Sequence, residues 1–216
     1  MKAGSTYTSL SELPAGSVVG TSSVRRIAQV ARKYPHLKFL DVRGNVGTRL
    51  SKLDDPESAF ACLILAAAGL VRLDLGDRIT EYLSSPTLLH AVGQGALGVE
   101  ICEGDEEVQA LLATLAHKET TLHCLAERSL MRTLEGGCSV PIGVETETSE
   151  SGALAMKAIV ASIDGANAVN AEVEMEVKSE EEAEEFGRTL ANRLTEMGAG
   201  DILNAIQVSK SQTNSS

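Results

Sequence analysis

Aromatic residues are scarce in this sequence, with three Tyr, three Phe and no Trp among 216 residues. That removes the stacking platforms by which single-stranded nucleic acid is commonly gripped. Cysteine is nearly as sparse. Cys62, Cys102, Cys124 and Cys138 form no Cys-x-x-Cys pair and no Cys/His ladder, so neither a disulfide framework nor a zinc site is expected. His36, His90, His117 and His123 show no metal-ligand spacing either, and no metal is expected. Long apolar runs are also missing. The longest, Cys62 to Leu70, contains a glycine and is far too short to cross a bilayer, and no basic segment followed by an apolar one opens the chain. The expectation is a soluble, cytoplasmic protein with reduced thiols, no membrane partner and no nucleic-acid partner.

What is present is charge, unevenly placed. The chain carries a formal net charge of −11, yet between Gly20 and Lys52 there are eight basic residues (Arg25, Arg26, Arg32, Lys33, Lys38, Arg43, Arg49 and Lys52) against Asp41 alone. From Glu145 to Asp201 the balance reverses, with 14 acidic and 4 basic residues. A basic block inside an acidic protein points to a local anion site rather than to a nonspecific polyanion surface.

From Ser17 the pattern alternates strand, turn and helix. Ser17 to Val19 reads as a strand, Ser23 to Tyr34 as a helix behind the capping candidates Thr21 and Ser22, and Leu37 to Val42 as a strand. A helix follows around Asn45 to Leu53, then a strand over Cys62 to Ala66. This βαβαβ order implies a parallel, doubly wound layer. The glycines of Ala91 to Gly98 break that rhythm and suggest a crossover or hinge. Asp105 to Ala116 and Lys118 to Leu134 read as helices, the second ended by Gly136 and Gly137. Val140 to Val144, Ala153 to Ile163 and Ala168 to Val177 read as strands, and Glu180 to Met197 as a closing helix. The serine-rich tail after Gln207 is expected to be disordered. The fold class is therefore α/β, followed by a small α+β C-terminal domain.

Two segments carry the candidate chemistry. Gly20 to Arg26 (Gly-Thr-Ser-Ser-Val-Arg-Arg) sets hydroxyls and free backbone N–H groups at a strand-to-helix turn, where a helix N-terminus favours an anion. Two arginines in the first turn oppose the helix dipole by some ~0.3–1 kcal/mol each, a penalty that an intervening anion would convert into attraction. The alternative is a pair of solvated arginines on an exposed face. Val42 to Arg49 (Val-Arg-Gly-Asn-Val-Gly-Thr-Arg) repeats the arrangement at the next strand end. Arg25, Arg26, Arg43 and Arg49 can thus meet in one crevice and grip carboxylates bidentately, or Arg43 and Arg49 can be ordinary surface charges. The segment is no P-loop, since no Gly-Lys-Ser/Thr follows. Cys138 sits beyond Gly136-Gly137 at a helix C-terminus, which disfavours a thiolate, so by position alone it is a loop thiol. Cys62 and Cys124 fall in periodic apolar segments and are expected in the core.

Five segments together resemble one family. They are Gly20 to Arg26, Arg43 to Asp54 (Arg-Gly-Asn-Val-Gly-Thr-Arg-Leu-Ser-Lys-Leu-Asp), Leu65 to Arg72 (Leu-Ala-Ala-Ala-Gly-Leu-Val-Arg), Ala91 to Gly98 and Leu134 to Ile142 (Leu-Glu-Gly-Gly-Cys-Ser-Val-Pro-Ile). In this order they are similar to the porphobilinogen deaminases, also called hydroxymethylbilane synthases. The resemblance implies a transferase of heme and tetrapyrrole biosynthesis, one that condenses four porphobilinogen molecules to hydroxymethylbilane and releases ammonia at each step. It implies a monomer with a periplasmic-binding-protein-like core and a dipyrromethane cofactor attached covalently through Cys138. Ser23, Arg25, Arg26, Arg43 and Arg49 would hold the cofactor's carboxylates. Arg72 and Gln94 would meet porphobilinogen or the linear oligopyrrole intermediates, Gln94 through the hinge or its backbone.

By the same resemblance, residues 1–92 correspond to the family's second domain, 93–116 to a return segment of its first domain and 117–216 to its C-terminal domain. The family's Ser-Leu-Lys-Asp-Leu-Pro motif, whose aspartate assists pyrrole protonation, has no counterpart here. The expectation is a chain lacking most of the first lobe, with no assigned catalytic residue, little turnover alone, and a strand near Ala96 to Cys102 deprived of sheet neighbours. A second reading is a catalytically inactive form that only binds polycarboxylate pyrroles. A third is a partner protein that binds through its acidic C-terminal region.

Overall fold

The computed structural model describes residues 1–134 and 140–213. Its first unit is a parallel sheet of β1 (Val18–Gly20), β2 (Lys38–Leu40) and β3 (Phe60–Leu63), in the order β2-β1-β3. Val19 pairs with Phe39 on one side and Cys62 on the other. The connections are α1 (Val24–Lys33) and α2 (Val46–Asp54). Helix α1 packs Val30 with Val19, Leu37 and Cys62, whereas α2 packs Leu50 and Leu53 with Phe60 and Leu63 in a separate cluster. Each helix begins on a polar cap. The Ser23 hydroxyl accepts the Arg26 N–H and Asn45 Oδ1 accepts the Thr48 N–H, satisfying donors that the first turn leaves free. The cap of α1 is therefore Ser23 rather than Thr21 or Ser22. Thr21 instead accepts the Ser23 N–H and is buried beneath the turn.

A short helix α3 (Ala67–Val71) follows β3. The sequence gives no capping residue there, and the pattern alone does not separate it from the preceding strand. Beyond it the chain carries α4 (Glu106–Ala113) and α5 (Lys118–Thr133). The second sheet is antiparallel, β4 (Ile142–Thr148), β5 (Leu154–Ala161) and β6 (Ala168–Met175), in chain order. Helices α6 (Glu180–Glu196) and α7 (Ala199–Thr213) complete this unit. Its core joins Leu130 of α5, Met156 and Val160 of β5, and Phe186, Leu190 and Leu194 of α6. Cys138 lies outside the described residues.

Two sequence expectations change. The tail after Gln207 is helical as far as Thr213, because α7 is anchored by Leu203 and Ile206, both buried; its serine-rich composition hides that footing. The segment Ala96 to Cys102 is not a strand. As expected of a segment deprived of sheet neighbours, Leu97 is 85% exposed and Val99 66%, and α4 buries none of its residues. A strand needs a neighbour for its N–H and C=O groups, and none of the described residues supplies one.

The tightest packing is the crossing of α5 and α6. A Cβ at Gly187 would stand 2.1 Å from the Ala126 carbonyl oxygen and 2.9 Å from the Leu130 nitrogen, both backbone atoms. Helix propensity alone would reward Gly→Ala by about 1 kcal/mol, but overpacking against backbone costs about 1–3 kcal/mol. We therefore expect Gly187→Ala to lower the urea midpoint followed by circular dichroism. Gly200→Ala in α7, with nothing within 4 Å of the new Cβ, should leave it unchanged or raise it.

Candidate anion-binding site

The end of β3 and the first turn of α1 open onto a cavity of about 240 Å³. Arg25, Arg26, Leu50, Leu63, Ala66 and Gln94 are among its lining residues, so guanidinium groups meet a largely apolar wall. Arg25 is 7% exposed. Its Nη1 donates to the Leu89 carbonyl and its Nη2 to Gln94 Oε1 at 3.1 Å. Arg26 Nη1 donates to the Ile64 carbonyl at 2.7 Å. Neither forms an ion pair with a carboxylate among the described residues. Burial, and secondarily the neighbouring Arg26, lowers the Arg25 pKa from its ordinary value to about 10; burial, then the field of Arg49, lowers that of Arg26. Arg25 thus stays cationic at neutral pH and is poorly compensated. An arginine offers five donors, and among the described residues two of Arg25's are engaged by protein acceptors.

The other sequence candidates are placed differently. Ser23 caps α1 through its oxygen and keeps its hydroxyl proton to donate. Arg49 is half-buried, its Nε donating to the Gly44 carbonyl at 2.7 Å, close enough to Arg26 to depress its pKa. Arg43 is turned to solvent and pairs with Asp41 at 2.7 Å. Arg72 ends α3 and is exposed. None of Ser23, Arg43, Arg49 and Arg72 is among the residues lining the cavity. Gln94 is at the cavity, held by its Oε1, which accepts from both Arg25 and the Ala91 N–H. Among the described residues Glu81 is the only carboxylate in the lining, and its Oε2 accepts the Leu10 N–H at 3.0 Å.

Sequence reasoning misses two contributors. Gln29, one turn after Arg25, is 4% exposed and bonds the backbone of Leu89. The only signal for it is a polar residue on the apolar face of α1. Cys62 meets the core expectation but also lines the cavity. Cys124 departs from that expectation. It is half-buried and borders a second cavity between Gln94 and β4, because it faces the edge of α5 rather than the core seam of Leu122, Ala126 and Leu130.

Residues 3–110 match the family model described as "Porphobilinogen deaminase, dipyromethane cofactor binding domain". The chain belongs to the porphobilinogen deaminase family. Residues 121–196 match the model of the same family's C-terminal domain. Curated relatives named porphobilinogen deaminase include that of Yarrowia lipolytica, 60% identical over 208 residues, covering 96% of this chain and 61% of the relative. Those of Schizosaccharomyces pombe and Saccharomyces cerevisiae are each 52% identical, covering 99% and 95% of this chain and 65% and 64% of the relative. The chain thus spans about three fifths of the length of these deaminases.

Burial raises the Cys62 thiol pKa from its ordinary 9.0 to about 11. A thiol held protonated in the folded state stabilises it fully below about pH 9, and that contribution is lost as pH rises through about 11. At pH 8, iodoacetamide should alkylate the exposed Cys102 and leave Cys62 unmodified by more than about 100-fold in rate until the chain is unfolded. Peptide mass mapping over time checks this, and equal rates would place Cys62 at the surface.

Proposed function

We propose that this chain carries the cofactor-binding portion of a hydroxymethylbilane synthase, the activity that condenses four porphobilinogen molecules to hydroxymethylbilane in heme biosynthesis. The observation that carries it is the pair of guanidinium groups, Arg25 and Arg26, set into an apolar-walled cavity without a carboxylate partner among the described residues. A flat pyrrole bearing acetate and propionate groups matches both features, since its ring fits the apolar wall and its carboxylates complete the arginines. The family's description supplies the cofactor, a dipyrromethane. When bound, it provides the primer on which the pyrrole chain grows.

In this reading Cys138 holds the cofactor as a thioether. Arg25 and Arg26 orient its carboxylates, with Ser23 donating from the helix cap. Arg49 adds its field beside Arg26, and Arg43, once released from Asp41, extends the cationic wall. Arg72 and Gln94 border the path of porphobilinogen and the linear oligopyrroles. Residues 1–92 form a doubly wound, periplasmic-binding-protein-like second domain, 93–116 a return segment and 117–216 the α+β domain that bears the cysteine. The protein acts as a monomer in the cytoplasm; among the described residues no helix is long and apolar enough to cross a membrane.

One observation favours the second reading, a binder of polycarboxylate pyrroles without turnover. Glu81, the one carboxylate in the cavity lining among the described residues, has its Oε2 held by the Leu10 backbone, so the described site offers a single, partly committed carboxylate for proton transfer.

The test is the intact mass of the chain purified from cells that make porphobilinogen, followed by peptide mapping and by titration with porphobilinogen. An increment of two linked pyrrole units on Cys138 is expected. Arg26→Met should weaken porphobilinogen binding by about 10- to 100-fold, the loss of one charge-assisted contact. An unmodified chain that binds porphobilinogen no better than the Arg26→Met variant overturns the proposal. Ammonia release in step with porphobilinogen consumption separates synthase from binder.

A further inference from the structure

Gln29 is an uncharged polar side chain buried at the junction of three segments. Its Oε1 accepts the Leu89 N–H at 2.7 Å, while its Nε2 donates to the Leu89 carbonyl and to the Arg25 carbonyl, each at 3.3 Å. The amide therefore bonds both backbone groups of Leu89, as a neighbouring strand would. The next residue is held from the other side. His90 exchanges two backbone hydrogen bonds with Val144 of β4, both 2.8 Å. The amide has no room to swing, because the hole it fills is the absent side chain of Gly143, where a Cβ would stand 2.7 Å from Nε2 and 3.0 Å from the Leu89 Cβ.

The Leu89 carbonyl has a second donor, Arg25 Nη1. A carbonyl oxygen has two lone pairs, and here the Gln29 amide and the Arg25 guanidinium take them side by side. The orientation of the Arg25 fork thus depends on where the Leu89 oxygen sits, and Gln29 is the side chain that fixes that oxygen. With its far Nη on Gln94, the guanidinium plane is set at both ends and presents its remaining donors to the cavity.

We propose that Gln29 is a positioning residue for the anion site: through the Leu89 carbonyl it fixes the Arg25 guanidinium in the geometry that receives a ligand carboxylate. The inference rests on the reading of the cavity as a carboxylate site, but its first readout does not. A desolvated guanidinium held by two acceptors exchanges its protons slowly and gives resolved Nη–H signals in nitrogen–proton NMR spectra, assignable to Arg25 by their loss in Arg25→Lys. Gln29→Met keeps the volume against Gly143 and removes the three hydrogen bonds.

The expected result is that Gln29→Met retains the folded spectrum but broadens or loses the Arg25 Nη–H signals, and weakens porphobilinogen binding by about tenfold or more. A Gln29→Met chain that keeps both the signals and the affinity overturns the proposal and makes Gln29 a packing residue only. Should that variant not fold, Gly143→Ala, which keeps Gln29 but crowds its amide, carries the same expectation and is overturned by the same retention. If the unsubstituted chain shows the Arg25 signals, loses them in Gln29→Met, and yet does not bind porphobilinogen, the positioning role stands and the carboxylate reading fails.

Discussion

Two guanidinium groups lie side by side on α1, one buried and one half-buried, and among the described residues carbonyl and amide oxygens alone answer their charge. Withdrawing a cation from water costs several kcal/mol unless other groups replace the solvent. The replacement comes from Ile64 just beyond β3, from Leu89 and from Gln94 in the glycine-rich segment Ala91 to Gly98. Each belongs to a segment distant in sequence from α1, so the arginine pair takes this form only when the sheet, the chain after it and the glycine-rich segment are all in place. The site is thereby coupled to the fold. The same incomplete compensation leaves it receptive, since a carboxylate entering the cavity improves the environment of a charge already there.

Helix α1 is where these demands meet. One face, with Val30, packs on the parallel sheet. Its first turn carries the arginines and the Ser23 cap. A third face, with Gln29, meets Leu89 and Gly143, and the turn at Gly165 between β5 and β6 lies against the backbone of Ala28 and Arg32. A helix docked on two sheets has little freedom to shift, which suits a site whose donors must be oriented before the ligand arrives. The apolar stripe that buries α1 and the cations at its N-terminus are thus parts of one arrangement.

Much of this is legible in the residues. The βαβαβ order, the helical spacing of Val24, Ala28 and Ala31, and the arginine pair in the first turn of α1 all follow from local pattern. Local pattern cannot say which arginines converge. Arg26 and Arg43 look equivalent as strand-end residues, but Arg26 finds a carbonyl on the adjacent strand and turns inward, while Arg43 finds Asp41 two residues away and stays in solvent. Gln29 is invisible for a related reason. A glutamine on a helix has no fixed meaning until the backbone groups it will satisfy are brought to it across 60 residues of chain. The role assigned to Cys138 came from resemblance alone and lies outside the described residues.

The segment Leu97 to Ile101 shows how far pattern reaches. Leu97, Val99 and Ile101 alternate with Gly98 and Glu100, as Val169, Ala171, Val173 and Met175 alternate with polar residues along β6. Alternation marks both as strands with one apolar face, the first of them expected to lack sheet neighbours. One becomes a strand because β5 lies beside it in continuous register from Leu154↔Met175 to Ala161↔Ala168, so that the N–H and C=O groups on that side are paired and its odd-numbered side chains face the sheet's core. The other has no such edge among the described residues, and its apolar side chains remain exposed. Alternation specifies which face would be buried, but burial itself requires a neighbouring surface, and the free energy that makes a strand lies in that surface rather than in the residues that anticipate it.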